Sequence, residues 1–238
     1  MTRLLAAALL FIPAFAAAQA APSAPRQKDG QASAPPVVEK LGDNLYRLGN
    51  VRVDTARGEV SVAGTVNRDV TTLEFIANTR GGMKAYESAL TLDTDAVTFN
   101  TALILIGLNR TRARNAPTAH FDPATPEGDL VEIFIECPGR QCERMPAERL
   151  MFDKVSNGTP SGGTWVYTGS GFLPDNRYLA DLDGVLVGFV HDPASIIEYA
   201  AGAGLNRYGS IVLNPNHGIP PNTSIVMTVK TVRPATGR

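Results

Sequence analysis

The sequence predicts a β-rich α+β fold: antiparallel sheet packed around one buried helix at about residues 96–107, with one further short helix near 193–201. Three observations predict it. Apolar and polar residues alternate in short runs, as at Val51-Val53, Val60-Val62 and Val131-Ile133-Ile135. Turn signals such as Gly81-Gly82, Pro138-Gly139 and Asp183-Gly184 separate the runs. One stretch, Val97 to Leu108, is apolar on nearly every side, and a helix of that kind is a buried one.

Taken in order, the 238-residue chain opens on Met1-Thr2-Arg3, an apolar run from Leu4 to Ala18 and the small-x-small site Ala18-Gln19-Ala20. That is the pattern of a secretory signal peptide over residues 1–20, which makes a periplasmic or secreted location the expectation. Residues 21–40 carry Pro22, Pro25, Pro35 and Pro36 among Ala, Ser and Gln and read as a flexible linker. Residues 41–233 suit one β-rich domain, followed by a tail over 234–238. Beyond the signal no run reaches the roughly 20 apolar residues of a bilayer crossing, so no membrane insertion is expected after cleavage. The formal net charge is −1 and no basic block stands out, which argues against nucleic acid as a partner.

Val51-Val53 and Val60-Val66 flank a turn and read as a hairpin, and Leu73, Phe75 and Ala77 continue the sheet. Asp93, Thr94 and Asp95 offer N-caps to the apolar helix, and Gly107 sits where helices end. A buried strand over Ala102–Ile106 is the competing reading of that run. Residues 109–129 form a long connection, a kind often functional, with Arg110, Arg112 and Arg114 at alternate positions. These make Arg112 a candidate anion ligand. The two cysteines, Cys137 and Cys142, flank the Pro138-Gly139 turn. Such a turn brings their Cα atoms within the ~4.4–6.8 Å a disulfide needs. Export favours that bond, so a disulfide clasping a hairpin is expected. Trp165 and Tyr167 begin another strand, and Asp183-Gly184 predicts a hairpin between Tyr178–Ala180 and Val185–Phe189. Asp192 as cap with Pro193 behind it predicts the helix over 193–201. Ile225, Met227 and Val229 form the last strand.

Among polar residues, Glu74, Lys84 and Glu87 are the catalytic candidates, because two carboxylates beside a lysine can do acid–base work. A structural ion-pair network uses the same residues. Trp165, Tyr167 and Tyr178 are candidates for a surface that stacks on a sugar or peptide, with a β-core as the competing use. Ser170 in Gly169-Ser170-Gly171 lacks the spacing of a nucleophile elbow. His120, Asp122, His191 and Asp192 lack the spacing of a metal motif, so neither metal nor cofactor is expected.

Several segments together resemble the YdjY-domain family of exported bacterial proteins. They are Leu73-Glu74-Phe75, Gly82-Met83-Lys84-Ala85-Tyr86-Glu87-Ser88, Thr101-Ala102-Leu103 through Gly107-Leu108, Thr164-Trp165-Val166-Tyr167-Thr168-Gly169-Ser170-Gly171-Phe172, Tyr178-Leu179-Ala180-Asp181 and Ile219-Pro220-Pro221-Asn222-Thr223. The resemblance implies an envelope or extracellular protein with no assigned activity. In some relatives the domain adjoins iron–sulfur segments, but two cysteines cannot ligate such a cluster. The expectation is therefore an exported, non-catalytic module that binds a protein, peptide or small ligand. The alternatives are an acid–base enzyme of hydrolase type around Glu74, Lys84 and Glu87, and an accessory protein of an envelope redox system.

Overall fold

The computed structural model describes residues 35–70, 72–140, 142–160, 164–205 and 207–232. The expected signal peptide, most of the expected linker and the tail lie outside these residues. The described residues form fourteen strands. They are β1 (Val38–Lys40), β2 (Leu45–Leu48), β3 (Val51–Asp54), β4 (Glu59–Val66), β5 (Phe75–Thr79), β6 (Ser88–Leu92) and β7 (Asp129–Glu136). After these come β8 (Met145–Pro146), β9 (Met151–Asp153), β10 (Trp165–Tyr167), β11 (Val185–Gly188), β12 (Ile197–Tyr199), β13 (Ile211–Leu213) and β14 (Ser224–Thr231). Two α-helices join them, α1 (Ala96–Leu105) and α2 (Leu179–Asp183). Strand β1 falls inside the stretch expected to be linker.

Eight strands close into a barrel in the order β4-β14-β7-β10-β12-β11-β5-β6, with β6 returning to β4. This corrects the expected antiparallel sheet around a helix. The barrel is mixed, since β5–β6 and β11–β12 run parallel. Alternation in sequence specifies a buried face, and closing the sheet on that face also removes its edges. The seam lies in β4, which pairs with β3 over residues 59–62 and with β6 over residues 64–66. Gly64 makes the seam possible: a Cβ there would stand 2.5 Å from the Thr91 carbonyl oxygen.

Inside, Val60 and Val62 of β4, Met227 and Val229 of β14, and Ile133 and Ile135 of β7 form one buried stripe across registered strands. Trp165 stands opposite Val131 and Tyr199, and so extends the stripe. The expected disulfide is present, with Cys137 and Cys142 5.2 Å apart at Cα, at the β7–β8 hairpin.

Helix α1 forms where expected, capped by Asp95, whose carboxylate accepts the Thr98 N–H at 2.7 Å. Its burial is partial. Phe99, Ala102 and Leu103 are buried, but Ile104 and Leu105 are 52% and 37% exposed, so the helix is not enclosed on all sides. The helix expected near 193–201 is a turn followed by strand β12, because the Asp192 carboxylate caps Ala194 N–H in a tight turn that the chain leaves extended. The hairpin expected at Asp183-Gly184 is the end of α2, where Gly184 takes a left-handed C-cap (φ 76°). A Cβ on Gly184 would meet Gly82 Cα at 2.5 Å, so this glycine pair sets the turn that carries Lys84.

Candidate functional site

The polar trio singled out in the sequence lies together on the barrel wall. Glu74 immediately precedes β5, and its N–H donates to the Glu87 carbonyl, 2.9 Å. Lys84 caps, and Glu87 ends, a single 3₁₀ turn before β6, and the two form an ion pair of 3.4 Å, with Glu87 buried. Burial pulls the Lys84 ammonium down, but Glu87, Tyr86 and Glu74 together raise it above its ordinary value. The second Glu87 oxygen accepts the Tyr208 hydroxyl at 3.1 Å, which raises that phenol.

The long connection delivers a residue that the sequence did not link to this trio. His120 Nδ1 lies 2.7 Å from Asp192 Oδ2, and its Nε2 lies 3.3 Å from Glu74 Oε2. Hydrogen bonds to Asp192 and then Glu74 push the imidazole up to about 9, so at neutral pH it is a cation between two carboxylates. The other Glu74 oxygen, Oε1, is buried and has no hydrogen-bond partner among the described residues. Behind Asp192 stands Glu198, at the centre of β12 and on the opposite face of the strand from Ile197 and Tyr199. It is fully buried. Burial pushes its carboxyl up to about 8, partly offset by the Asp192 N–H, which it accepts at 3.0 Å. Burial also raises Asp183, with Asp192 adding to the push and Lys84 opposing it.

Other sequence candidates fall elsewhere. Trp165 and Tyr167 are core residues, 1% and 0% exposed, and offer no stacking surface. The Trp165 N–H is spent on Glu148 and the Tyr167 hydroxyl on Asn100 of α1. Tyr178 is partly buried, with its hydroxyl on the Gly169 carbonyl. Arg112 does border a cleft of about 430 Å³, with Ile106, Leu130 and Val232. Its guanidinium, however, is committed to Asp129 and to the Gly107 carbonyl, which removes it as an anion ligand. Its neighbour Arg110 stacks over Phe172 at 5.0 Å. Among the described residues, no three His, Cys, Asp or Glu side chains converge to hold a metal ion, and no helix is long and apolar enough to cross a membrane.

Glu198 has one faint signature in sequence, a lone acid in the run Ile196-Ile197-Glu198-Tyr199. Exposure adds one residue the sequence did not single out, Tyr208, 67% exposed; it stands beside the Lys84–Glu87 pair, as does Tyr86 of the Gly82–Ser88 segment, 63% exposed.

Fold and site together define a closed, mixed β-barrel domain with buried carboxyl groups on its wall, covered by a partly exposed imidazole. The YdjY domain matches residues 51–229, and the chain belongs to that family. No curated protein and no solved structure matches the chain.

Proposed function

We propose that the protein is an exported, non-catalytic binding module whose contact surface is built from Met83, Tyr86 and Tyr208. The observation that supports this reading is the exposure of these three large side chains, Met83 and Tyr86 being chain neighbours of Lys84 in the Lys84–Glu87 pair and Tyr208 bonded to Glu87. Tyrosines on a rigid base offer contact area at small entropic cost, which is how recognition surfaces are built. A protein or peptide partner fits such a platform better than a small substrate does. The cavity at Glu74 is only about 10 Å³, roughly the room for one water. Both ring nitrogens of His120 already face carboxylates, so the imidazole has no free position for a substrate proton.

A photo-crosslinking residue at position 86 or 208 tests this in the cell of origin. The expected result is one discrete adduct, lost on Lys84→Glu and absent with the same group at Val38 on the remote edge strand. Equal, diffuse labelling from all three positions would overturn the reading.

A further inference from the structure

Within the long connection, Arg114 and Glu127 exchange backbone N–H to carbonyl bonds, each 2.9 Å, and pinch off a lobe of residues 115–126. Only Pro117 and Pro126 of that lobe are buried. Apart from these prolines and the half-buried Phe121 ring, which packs against the core, polar contacts hold it to the barrel, and segments with so little apolar burial open at low cost. Three consecutive residues make those contacts. His120 bridges Asp192 and Glu74, the Phe121 N–H donates to the His191 carbonyl at 3.0 Å, and the Asp122 carbonyl lies 2.7 Å from His191 Nδ1. His120 thus sits on the buried Glu74, and behind Asp192 lies the buried Glu198, whose carboxyl accepts the Asp192 N–H at 3.0 Å.

We infer that residues 115–126 are a proton-operated lid, closed over Glu74, Asp192 and Glu198 while His120 is charged and released in mild alkali. The groups around His120 are Asp192 and Glu74 in direct contact, Glu198 behind Asp192, and the Phe75 and Phe121 rings. Nearby Lys84 is committed to Glu87, and Arg207, which borders the cavity at Glu74, to Asp153. The Asp122 carboxylate, held down to about 2 by the Thr118 and Ala124 N–H groups, stays charged throughout.

Two titrations then act in neighbouring windows. As pH rises through about 8, Glu198 becomes a buried anion beside Asp192, and lifting the lobe off Asp192 lets water reach it. Through about 9, His120 loses its charge and keeps one N–H to share between two carboxylates. Both changes favour opening. The two ring nitrogens of His191 face the carbonyl oxygens of Asp122 and Tyr199, at 2.7 and 3.0 Å, and so tie the lobe to the start of the Asp192 turn.

Hydrogen exchange read by mass spectrometry on the full chain, corrected for intrinsic rates, tests the lid. Amides of 116–124 should lose at least tenfold in protection between about pH 6.5 and pH 9.5, while β4 and β14 stay protected. His120→Gln should open the lid already at the lower pH. Glu198→Gln, which cannot ionise, should move the opening midpoint upward. Unchanged lobe protection across the range in the native chain overturns the proposal. If His120→Gln fails to fold, the Glu198→Gln midpoint decides, and an unmoved midpoint overturns it too.

Discussion

His120 Nδ1 lies 2.7 Å from Asp192 Oδ2, joining residues 72 positions apart. That bond makes the wall of the barrel continuous with its longest connection. It also brings a cation next to a carboxyl group, Glu198, that burial keeps neutral.

The first prediction concerns pH. The folded values of both His120 and Glu198 are raised, from 6.5 to about 9 and from 4.5 to about 8. A raised group stabilises fully below its unfolded value and loses that contribution as pH climbs through the folded one. Glu198 therefore costs stability from about pH 4.5 to 8, and His120 from about 6.5 to 9. Urea unfolding at pH 5, 7 and 9 should give steadily falling free energies, and His120→Gln should flatten the upper half. A rise from pH 5 to 9 in the native chain would contradict both assignments.

The barrel seam gives the second. Gly64→Ala places a methyl 2.5 Å from the Thr91 carbonyl and 2.8 Å from Leu92 Cδ2, so β4 and β6 must part. Overpacking of this kind costs roughly 1–3 kcal/mol. Gly158→Ala, with nothing within 4 Å, is the control and should stay within about 0.5 kcal/mol. Equal melting temperatures for the two variants would show that the seam is not a tight closure.

The disulfide spans a short loop, with a sequence separation of five. Loop-closure entropy for so few residues amounts to about 2 kcal/mol. Replacing both cysteines by serine should lower the unfolding free energy by about that much. Loss of protection should begin at β8, because that strand pairs only with β7 through Phe134–Pro146 and Ile135–Met145. An undiminished free energy in the double variant would mean the hairpin is held without the bond.

Local chemistry made some of this legible and not the rest. The β3–β4 hairpin, the start of α1 at Asp95 and the cysteine clasp all follow from signals within a few residues. Closure of the barrel does not, because which strand meets β4 depends on pairings between positions far apart, such as Gly64 with Leu92. Asp-Gly serves hairpins and helix C-caps alike, and only the packing of Gly184 on Gly82 selects the cap. Trp165 and Tyr167 read equally as a platform or as core until the closed barrel surrounds them. Glu74, Lys84 and Glu87 are close in sequence and were legible as a group. His120, Asp192 and Glu198 reach them only through the fold.

The Lys84–Glu87–Tyr208 group separates a structural role from a recognition role. The Lys84 side chain is 29% exposed and that of Glu87 7%, so the pair is neither a free surface contact nor a fully dry one. Lys84→Met should then cost about 1–2 kcal/mol, between the values for surface and buried pairs. Most of that cost is the lone Glu87 carboxylate left behind, so Lys84→Met with Glu87→Gln should recover part of it. Tyr208→Phe removes one bond at an exposed position and should cost less than Lys84→Met does. If the platform recognises a partner, the double variant keeps its fold yet loses the crosslink from position 86, because the charged base has gone. If the pair only ties the turn to β6, the same variant keeps the crosslink and its cost is read in stability alone. The two measurements on one protein thus tell a binding surface from a staple, and a Lys84→Met cost near zero would remove the staple altogether.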